Sequence, residues 1–472
     1  MAADDRDARI EKLERQVAEL LQIVGELRNE NVELRRENAA LREENVALRK
    51  EIEEWRRGFR ERRKRRTSKA EGRSRATGKP RGRRPGHAPA QRPVPKHIDK
   101  TIAYGLRGRC DCGGHVDPTG EFDSTIVQDI PPVQVQNTRH LAPVGRCRKC
   151  NKRIVERLPG AVESGRSIAA VQLGPRVQAL ALDLRFARHV PLNGIASVLG
   201  TWFGVTITPG GLSQMFDRLR GWSEPSYREI EAHVRNSAVV GLDETGLRQD
   251  GVGGWTWIAR TDSASLFRVE LSRASWVAEQ MLGDGFVGVV CTDFYGVYTR
   301  RDDWTHGYCG AHTQREARKI AEVTPNAITV SFSDRLDIWY LDAKRVQASG
   351  GPAAQHLIRR RLQRLIADPA LAQNTDVARL QHRLDEHFDG VMTFVYRPDV
   401  PADNNASERD LRAFAVHRRV TGGTRSAQGS LTLGHWMSVT QTLRKNQLPL
   451  PDWVAELHAA RLRGRPPPSV FS

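Results

Sequence analysis

The sequence predicts a multidomain α+β protein in which a parallel coiled coil precedes small globular segments and an α/β core. Leucine recurs at every seventh position near the N-terminus, and two close cysteine pairs follow. In the second half, apolar runs typical of buried strands end in the carboxylates Asp243 and Asp293. The 472 residues, of which 39% are hydrophobic, are enough for several domains with real cores.

Residues 1–55 carry the pattern of a leucine zipper. The d positions of the heptads are Leu13, Leu20, Leu27, Leu34, Leu41 and Leu48, and three successive a positions are Asn31, Asn38 and Asn45. Asparagines buried at the a positions fix the register and the oligomeric state of a coiled coil. Glutamates at the g positions and arginines at the e positions can pair between two parallel chains. We therefore expect a parallel homodimer, with a single long solvated helix as the alternative.

Residues 56–100 form a basic segment that is rich in Gly, Pro and Ser. Between residues 56 and 95 there are 16 Lys and Arg against two Asp and Glu, which is +14 of the chain's net +18. Such density indicates a polyanionic partner, most simply DNA. The candidate DNA contacts are Arg62, Arg63, Lys64, Arg65, Arg66, Arg81, Arg83 and Arg84. A flexible linker without a specific role is the alternative, and because the basic run follows the zipper, a simple basic-zipper factor is disfavoured.

Residues 101–165 contain two cysteine pairs that predict a small zinc-binding domain. Four thiolates, from Cys110, Cys112, Cys147 and Cys150, would satisfy tetrahedral Zn²⁺. The first pair is one residue short of the usual spacing, so His115 could replace Cys110 as a ligand. Free thiols in a small domain are the alternative.

Residues 166–235 predict a helical domain of helix-turn-helix type. One helix is expected from Leu192 to Phe203, and a second after Thr208 and Pro209, which suit an N-cap and a first helical position. Such a unit could place one helix in the major groove of DNA. A helical hairpin that only packs in the core is the alternative.

Residues 236–430 predict an α/β core. Three strands, a helix near residues 276–282 and a fourth strand give the element order of an RNase H-like fold, with Asp243 and Asp293 ending the first and fourth strands. Glu408 follows in a turn that opens a helix. Residues of about 335–389 predict a helical insertion, and residues 431–472 a C-terminal helical segment.

Asp243, Asp293 and Glu408 are the predicted catalytic and metal-binding triad. Strand-end carboxylates and one helix carboxylate can hold two Mg²⁺ ions, or Mn²⁺, roughly 3.5–4 Å apart for attack on a phosphodiester. Asp243 would bridge both ions. Glu244 is the nearest competitor of Asp243, and surface or helix-capping carboxylates are the alternative for each acid. Arg409 and Arg412 could contact DNA phosphates or orient Glu408.

The core also resembles a known family, the bacterial DDE transposases of the insertion-sequence-66 type. The matching motifs are Leu-Asp-Glu-Thr-Gly at 242–246, Thr-Asp-Phe-Tyr-Gly-Val-Tyr at 292–298, Cys-Gly-Ala-His at 309–312, and Asp-Asn-Asn-Ala-Ser-Glu-Arg-Asp-Leu-Arg at 403–412. The resemblance covers nearly the whole chain and implies the same three acids as the metal triad. It also implies that accessory transposition proteins take part.

The expected function is that of a transposase, which binds the ends of its mobile element and catalyses metal-dependent DNA cleavage and strand transfer. The alternatives are a catalytically idle, transposase-derived DNA-binding protein and a nuclease without strand transfer. The sequence has neither an apolar run of membrane-spanning length nor a signal peptide. We therefore expect a cytoplasmic, nucleoid-associated bacterial protein without a membrane partner.

Overall fold

The computed structural model describes residues 92–141, 143–155 and 171–471. The predicted zipper and the basic clusters at 62–66 and 81–84 lie outside the described residues. The chain divides into two units, residues 1–128 and 129–472. The described part of the first unit is largely exposed and irregular, apart from a bridge between Arg109 and His115 around a turn.

The second unit begins with a short hairpin and a group of helices. These elements are β1 (Val144–Arg146), β2 (Arg153–Val155), α1 (Pro175–Leu182), α2 (Leu192–Phe203), α3 (Pro209–Trp222) and α4 (Glu224–Arg235). The predicted break between α2 and α3 is confirmed: Gly204 has a φ of 64°, and Thr208 Oγ1 caps α3 by accepting from Gly211 N at 3.1 Å. The π-helical turn at Asp183–Ala187 was not predicted.

A five-stranded mixed sheet forms the centre of this unit. Its strands are β3 (Val239–Gln249), β4 (Val252–Arg260), β5 (Ser265–Glu270), β6 (Val289–Thr292) and β7 (Thr305–Tyr308), in the spatial order β5-β4-β3-β6-β7. The first three pair antiparallel, whereas β6 and β7 continue the sheet in parallel. The first four strands match the predicted order. The fifth was not predicted, because its residues Thr-His-Gly-Tyr lack the apolar run that marks the equally short β6.

Helices connect the strands and cover the sheet. They are α5 (Ser275–Leu282), α6 (Gly296–Thr299), α7 (Gly310–Val323), α8 (Ala327–Ser349), α9 (Pro352–Ile366), α10 (Thr375–Glu386), α11 (Phe388–Tyr396), α12 (Asn405–Thr421), α13 (Ala427–Lys445) and α14 (Leu450–Arg463). The helical stretch between β7 and α12 therefore runs from 310 to 396, which is wider than the predicted 335–389. Helix α13 crosses the predicted boundary between residues 430 and 431.

The core lies on both faces of the sheet. Successive residues of a strand point to opposite faces, and Val290 of β6 belongs to the cluster that packs on α1–α5 and α12–α14. Its neighbours Val289 and Cys291 belong to a second cluster with α7–α11. The long helical stretch is thus packed on the sheet and shares its core. Every helix in the described part is too short or too polar to span a bilayer.

Three histidines are buried in this core, and their surroundings predict acid sensitivity. Burial lowers the pKa of His417 and His435 to about 3 and that of His458 to about 4. An unfolded chain takes up these protons near the ordinary pKa of about 6.5. Stability therefore falls as the pH drops from about 6.5 towards 4.

We expect His417→Leu to weaken this acid sensitivity. His417 is fully buried, and neither ring nitrogen has a hydrogen-bond partner in the described part of the chain. The variant should lose less stability than the parent between pH 7 and pH 5, by about 1–2 kcal/mol in urea unfolding. His382→Gln changes an exposed histidine and is the control; an equal pH dependence in both variants would contradict the expectation.

Candidate active site

Asp243 lies inside a strand and not at its end, which corrects the sequence-based prediction. Strand β3 continues to Gln249 because its antiparallel partner β4 pairs with it along the whole length. The parallel pairing with β6, however, stops at Gly241 and Cys291. Asp243 therefore lies just past the end of the parallel pairing, and Asp293 directly follows β6, as predicted.

A chain of hydrogen bonds connects the residues that precede the two aspartates with the start of α12. Asn404, which is 4% exposed, donates from Nδ2 to the Leu242 carbonyl oxygen at 2.7 Å. Its backbone N–H donates to Cys309 Sγ at 3.0 Å, and Cys309 N donates to the Thr292 carbonyl oxygen at 2.8 Å. Glu408 lies one helical turn beyond Asn404. Together with the pairing of β3 and β6, these bonds form a hydrogen-bond ring, which holds the segments that carry the three acids next to one another although they are far apart in sequence.

Ser407 and Gly241 complete the contact between α12 and β3. Ser407 Oγ donates to Asn404 Oδ1 at 2.6 Å and is fully buried. A Cβ atom at Gly241 would lie 2.5 Å from Ser407 Oγ and 2.8 Å from Asn404 Oδ1. Only glycine lets the helix start approach the strand this closely. The roles of Asn404 and Gly241 were not predicted, since a contact across more than 160 residues leaves no local pattern.

The two aspartates have no cationic partner in the part of the chain that the structure describes. Asp243 Oδ1 accepts from Glu244 N at 2.9 Å, and Asp293 Oδ1 accepts from Tyr295 N at 3.0 Å. Among the described residues, neither carboxylate forms an ion pair. Burial raises the pKa of Asp243 to about 7, and the charges of Glu244, Asp293 and Glu408 add to this effect. The site thus concentrates negative charge where a cation would be stabilised.

Glu408 is held by two residues of α7. Its Oε1 accepts from Arg315 Nη2 at 2.9 Å and lies 3.5 Å from His312 Nε2. In the portion of the chain that the structure describes, no three His, Cys, Asp or Glu side chains are grouped so that they could hold a metal ion. The fold brings the triad to one edge of the sheet, and the Glu408 carboxylate is paired with Arg315.

Glu244 is engaged in a separate network and does not compete with Asp243. Its side chain is 5% exposed and accepts from Arg273 Nη2 at 2.6 Å and from the Tyr298 hydroxyl. The Arg273 guanidinium lies between the rings of Trp255 and Tyr295, 4.2 and 3.9 Å from their centroids. These contacts tie β3, β4 and the loop after Asp293 together, so Glu244 has a structural role.

We expect Arg273→Leu to destabilise the protein by about 2–4 kcal/mol, because it leaves the buried Glu244 carboxylate without its cation. Urea unfolding in EDTA would measure this loss. In the double variant Arg273→Leu/Glu244→Gln the buried charge is removed together with its partner, so part of the stability should return. If the loss of stability in the double variant equals the sum of the losses in the two single variants, Arg273 and Glu244 do not stabilise each other as a pair.

The other predicted residues of α12 and of the turn before it are Asp403, Arg409 and Arg412. Asp403 accepts from Asn405 N at 3.3 Å and pairs with Lys344 at 3.1 Å, as expected for a turn residue. Arg409 and Arg412 are exposed and form no hydrogen bond or ion pair with other described residues. The contacts to Glu408 come from Arg315 and His312, and DNA contact by Arg409 and Arg412 stays a prediction.

Each cysteine pair lies at a tight turn. Gly113 N donates to the Cys110 carbonyl oxygen at 2.9 Å, and Asn151 N donates to that of Cys147 at 2.8 Å within the β1–β2 hairpin. Hydrogen bonds from the backbone of Cys112 and Cys150 lower the pKa of Cys110 and Cys147, respectively. Both turns suit thiolates, but each belongs to a different unit, so the predicted zinc site stays a prediction. Burial raises the pKa of Cys291 to about 12, which indicates an unreactive core thiol.

The fold and site define a mixed α+β protein with a half-buried group of carboxylates on a five-stranded sheet. The family model described as Transposase IS66 family matches residues 170–431, which is more than half of the chain, and the chain belongs to this family. The matched residues include the sheet, the three acids and the helical stretch between β7 and α12.

Two proteins of Sinorhizobium fredii (strain NBRC 101917 / NGR234) are similar to the chain. The uncharacterized protein y4jO is 29% identical over 144 residues, which cover 30% of this chain and 44% of y4jO. The uncharacterized protein y4hP is 22% identical over 424 residues, which cover 80% of this chain and 75% of y4hP. The chain thus spans less than half the length of the first relative and three quarters of the second.

Proposed function

We propose that this protein is a DDE transposase, which cuts DNA at the ends of its mobile element and joins the freed ends to a target. The observation that carries the proposal is the hydrogen-bond ring through Asn404 and Cys309. It holds the start of α12, which bears Glu408, beside Leu242 and Thr292, the residues before Asp243 and Asp293. The strand order, with three antiparallel strands followed by two parallel ones, supports an RNase H-like core.

The donor set suits Mg²⁺ or Mn²⁺. Hard divalent cations take carboxylate oxygens as ligands, and Asp243 and Asp293 provide two that lack any cationic partner in the described part of the chain. The pKa of Asp243 is raised first by burial and then by the neighbouring carboxylates of Glu244, Asp293 and Glu408, as expected for an acid without a counter-ion. Asp243, Asp293 and Glu408 would hold the ions, and Asp243 would be the ligand that both ions share. Bound there, they would activate the attacking oxygen and stabilise the leaving one.

The chain's own residues prepare this centre. The Tyr295 N–H fixes one oxygen of Asp293, and the Glu244 N–H fixes one of Asp243, so each aspartate has its second oxygen free of these bonds. Asn404 sets the distance between α12 and β3. Burial of Asp243 lowers the effective dielectric around the site, which strengthens its attraction for a cation.

The other parts of the proposal concern assembly. The N-terminal zipper would form the homodimer that holds two element ends together. The basic segment, Arg409, Arg412 and the pair α2–α3 would bind DNA, with accessory transposition proteins as further partners. The inner face of α3 is occupied, since Phe216 and Met215 are buried and Trp436 Nε1 donates to the Phe216 carbonyl oxygen at 3.0 Å. A DNA contact by α3 would therefore use its exposed face.

The test is cleavage of linear DNA that carries the ends of the element, with purified full-length protein and Mg²⁺. Asp243→Ala, Asp293→Asn and Glu408→Gln should each reduce cleavage by a factor on the order of 10³. Asp403→Asn, a neighbouring acid bound to Lys344, is the matched control and should keep activity. Equal activity in Asp243→Ala and the parent would overturn the proposal.

The products separate the alternatives. Labelled element ends that become joined to target DNA indicate a transposase. Cleavage that leaves a free 3′-hydroxyl without any joined product indicates a nuclease. Binding of end DNA without cleavage in Mg²⁺ or Mn²⁺ indicates an idle, transposase-derived DNA-binding protein.

A further inference from the structure

An open groove lies beside Asp293, between the loop after β6 and helix α7. Its volume is about 680 Å³. One wall is formed by Asp293, Phe294 and Tyr295, and Arg383 of α10 also lines it. The other wall is one face of α7, because residues three and four apart on a helix lie on the same side; it consists of His312, Arg315, Glu316, Arg318, Lys319 and Glu322.

The basic side chains of this groove differ in their partners. Arg318 Nε is paired with Asp337 at 2.8 Å, and Arg383 is paired with Glu316. Lys319 is exposed and has no carboxylate partner among the described residues. Arg315 has Glu408 as its partner at 2.9 Å, although Arg315 is 55% exposed. Lys319 is therefore available to an anionic ligand, and Arg315 would become available by leaving Glu408.

We propose that this α7 groove holds the sugar-phosphate backbone of the DNA strand that is cut, and that a phosphate there takes Arg315 away from Glu408. The inference rests on the proposed function. An open groove that runs past one catalytic carboxylate suits an extended polyanion. By moving to a phosphate, Arg315 would exchange its one hydrogen bond to Glu408 Oε1 for the two parallel hydrogen bonds that a phosphate can accept from a guanidinium.

This exchange of partners by Arg315, from Glu408 to a DNA phosphate, determines when the metal centre is complete. While Arg315 is bound to Glu408, the carboxylate carries its own counter-ion and is not available as a metal ligand. When a DNA phosphate binds Arg315, Glu408 is released to join Asp243 and Asp293. DNA binding and metal binding then strengthen each other, and this coupling is reciprocal. The protein therefore assembles its full set of ligands only when a strand occupies the groove.

The test measures Mn²⁺ binding by electron paramagnetic resonance, so it does not depend on catalysis. In the parent protein, a short mixed-sequence DNA duplex should raise Mn²⁺ affinity by a factor on the order of ten. Arg315→Ala should bind Mn²⁺ more tightly than the parent without DNA, and DNA should raise its affinity no further. A role of Arg315 in folding alone predicts the opposite, namely weaker or unchanged Mn²⁺ binding in the variant.

Arg335→Ala is the matched control. It removes an arginine that is 43% exposed and paired with an acid, Asp368, at 2.7 Å, but neither residue lines the groove or belongs to the triad. This variant should keep the DNA-dependent rise in Mn²⁺ affinity. If Arg315→Ala behaves in the same way as Arg335→Ala, the exchange is wrong.

A further variant distinguishes this inference from the proposed function. Asp243→Asn should lose Mn²⁺ binding with and without DNA. If the parent protein binds Mn²⁺ no better than Asp243→Asn, the metal centre itself is wrong and both proposals are overturned. If binding depends on Asp243 but not on Arg315, only the exchange is overturned.

Discussion

Asp243→Asn should make the metal-free protein more stable while it abolishes DNA cleavage. The pKa of Asp243 is about 7 in the folded protein and near 3.9 for an ordinary aspartate. The folded state therefore keeps a proton that the unfolded state has already released, and the stability of the parent falls as the pH rises from about 4 to 7. Above pH 7 the full cost of the buried charge is present. Asparagine has no charge and avoids this cost.

The expected gain is about 1–3 kcal/mol at pH 8 in EDTA, measured by urea unfolding. It should vanish near pH 3.5, where the aspartate is protonated in both states. Asp403→Asn is the control, because Asp403 has Lys344 as its cationic partner and its removal should not stabilise the protein. If the variant is less stable than the parent at pH 8, Asp243 stabilises the fold, and the expected cost of its buried charge is wrong.

Gly241→Ala should disable the site through the backbone, without touching any of the three acids. The new Cβ would lie 2.5 Å from Ser407 Oγ and 2.8 Å from Asn404 Oδ1. Both distances are shorter than a van der Waals contact allows. The start of α12 must then move away from β3, so the Asn404–Leu242 hydrogen bond is strained and Glu408 is displaced. Such overpacking costs about 1–3 kcal/mol, and a misplaced ligand reduces the cleavage rate about 10²-fold.

Gly246→Ala provides the comparison on the same strand. Its Cβ would have an ordinary contact of 3.7 Å with Arg418 Nη1. We expect near-normal stability and cleavage from this variant. Equal loss in both glycine variants would mean that β3 tolerates no side chain at either position, and the specific contact with α12 would then not explain the effect.

Local patterns predicted much of the fold. The break between α2 and α3 follows from Thr208, Pro209 and Gly204, whose effects act over a single turn. The apolar runs that precede Asp243 and Asp293 located two neighbouring strands of the sheet. In contrast, the run did not show that β3 continues beyond Asp243, because its antiparallel pairing depends on β4 and on the turn at Asp250 and Gly251.

The parts of the site that were missed depend on long-range contacts. Arg315 and Glu408 are 93 residues apart, and Asn404 and Leu242 are 162 apart. On a helical surface, Arg315 resembles any other exposed arginine, and Arg318 beside it pairs with an unrelated acid. No spacing rule distinguishes the two. The prediction of the three acids came from the apolar runs before Asp243 and Asp293 and from the family motifs, whereas the residues that contact them required the folded chain.

The hydrogen-bond ring also has a consequence for how the chain can diverge. Cys309 precedes the helices α7–α11, Asn404 follows them, and Gly310 N donates to the Ala402 carbonyl oxygen at 3.0 Å. The helical stretch thus leaves the sheet and returns to it at one point. The hydrogen bonds that join its two ends there are made by residues outside the helices α8–α11. A change of length in a loop between these helices should therefore leave both ends of the stretch at the same place on the sheet.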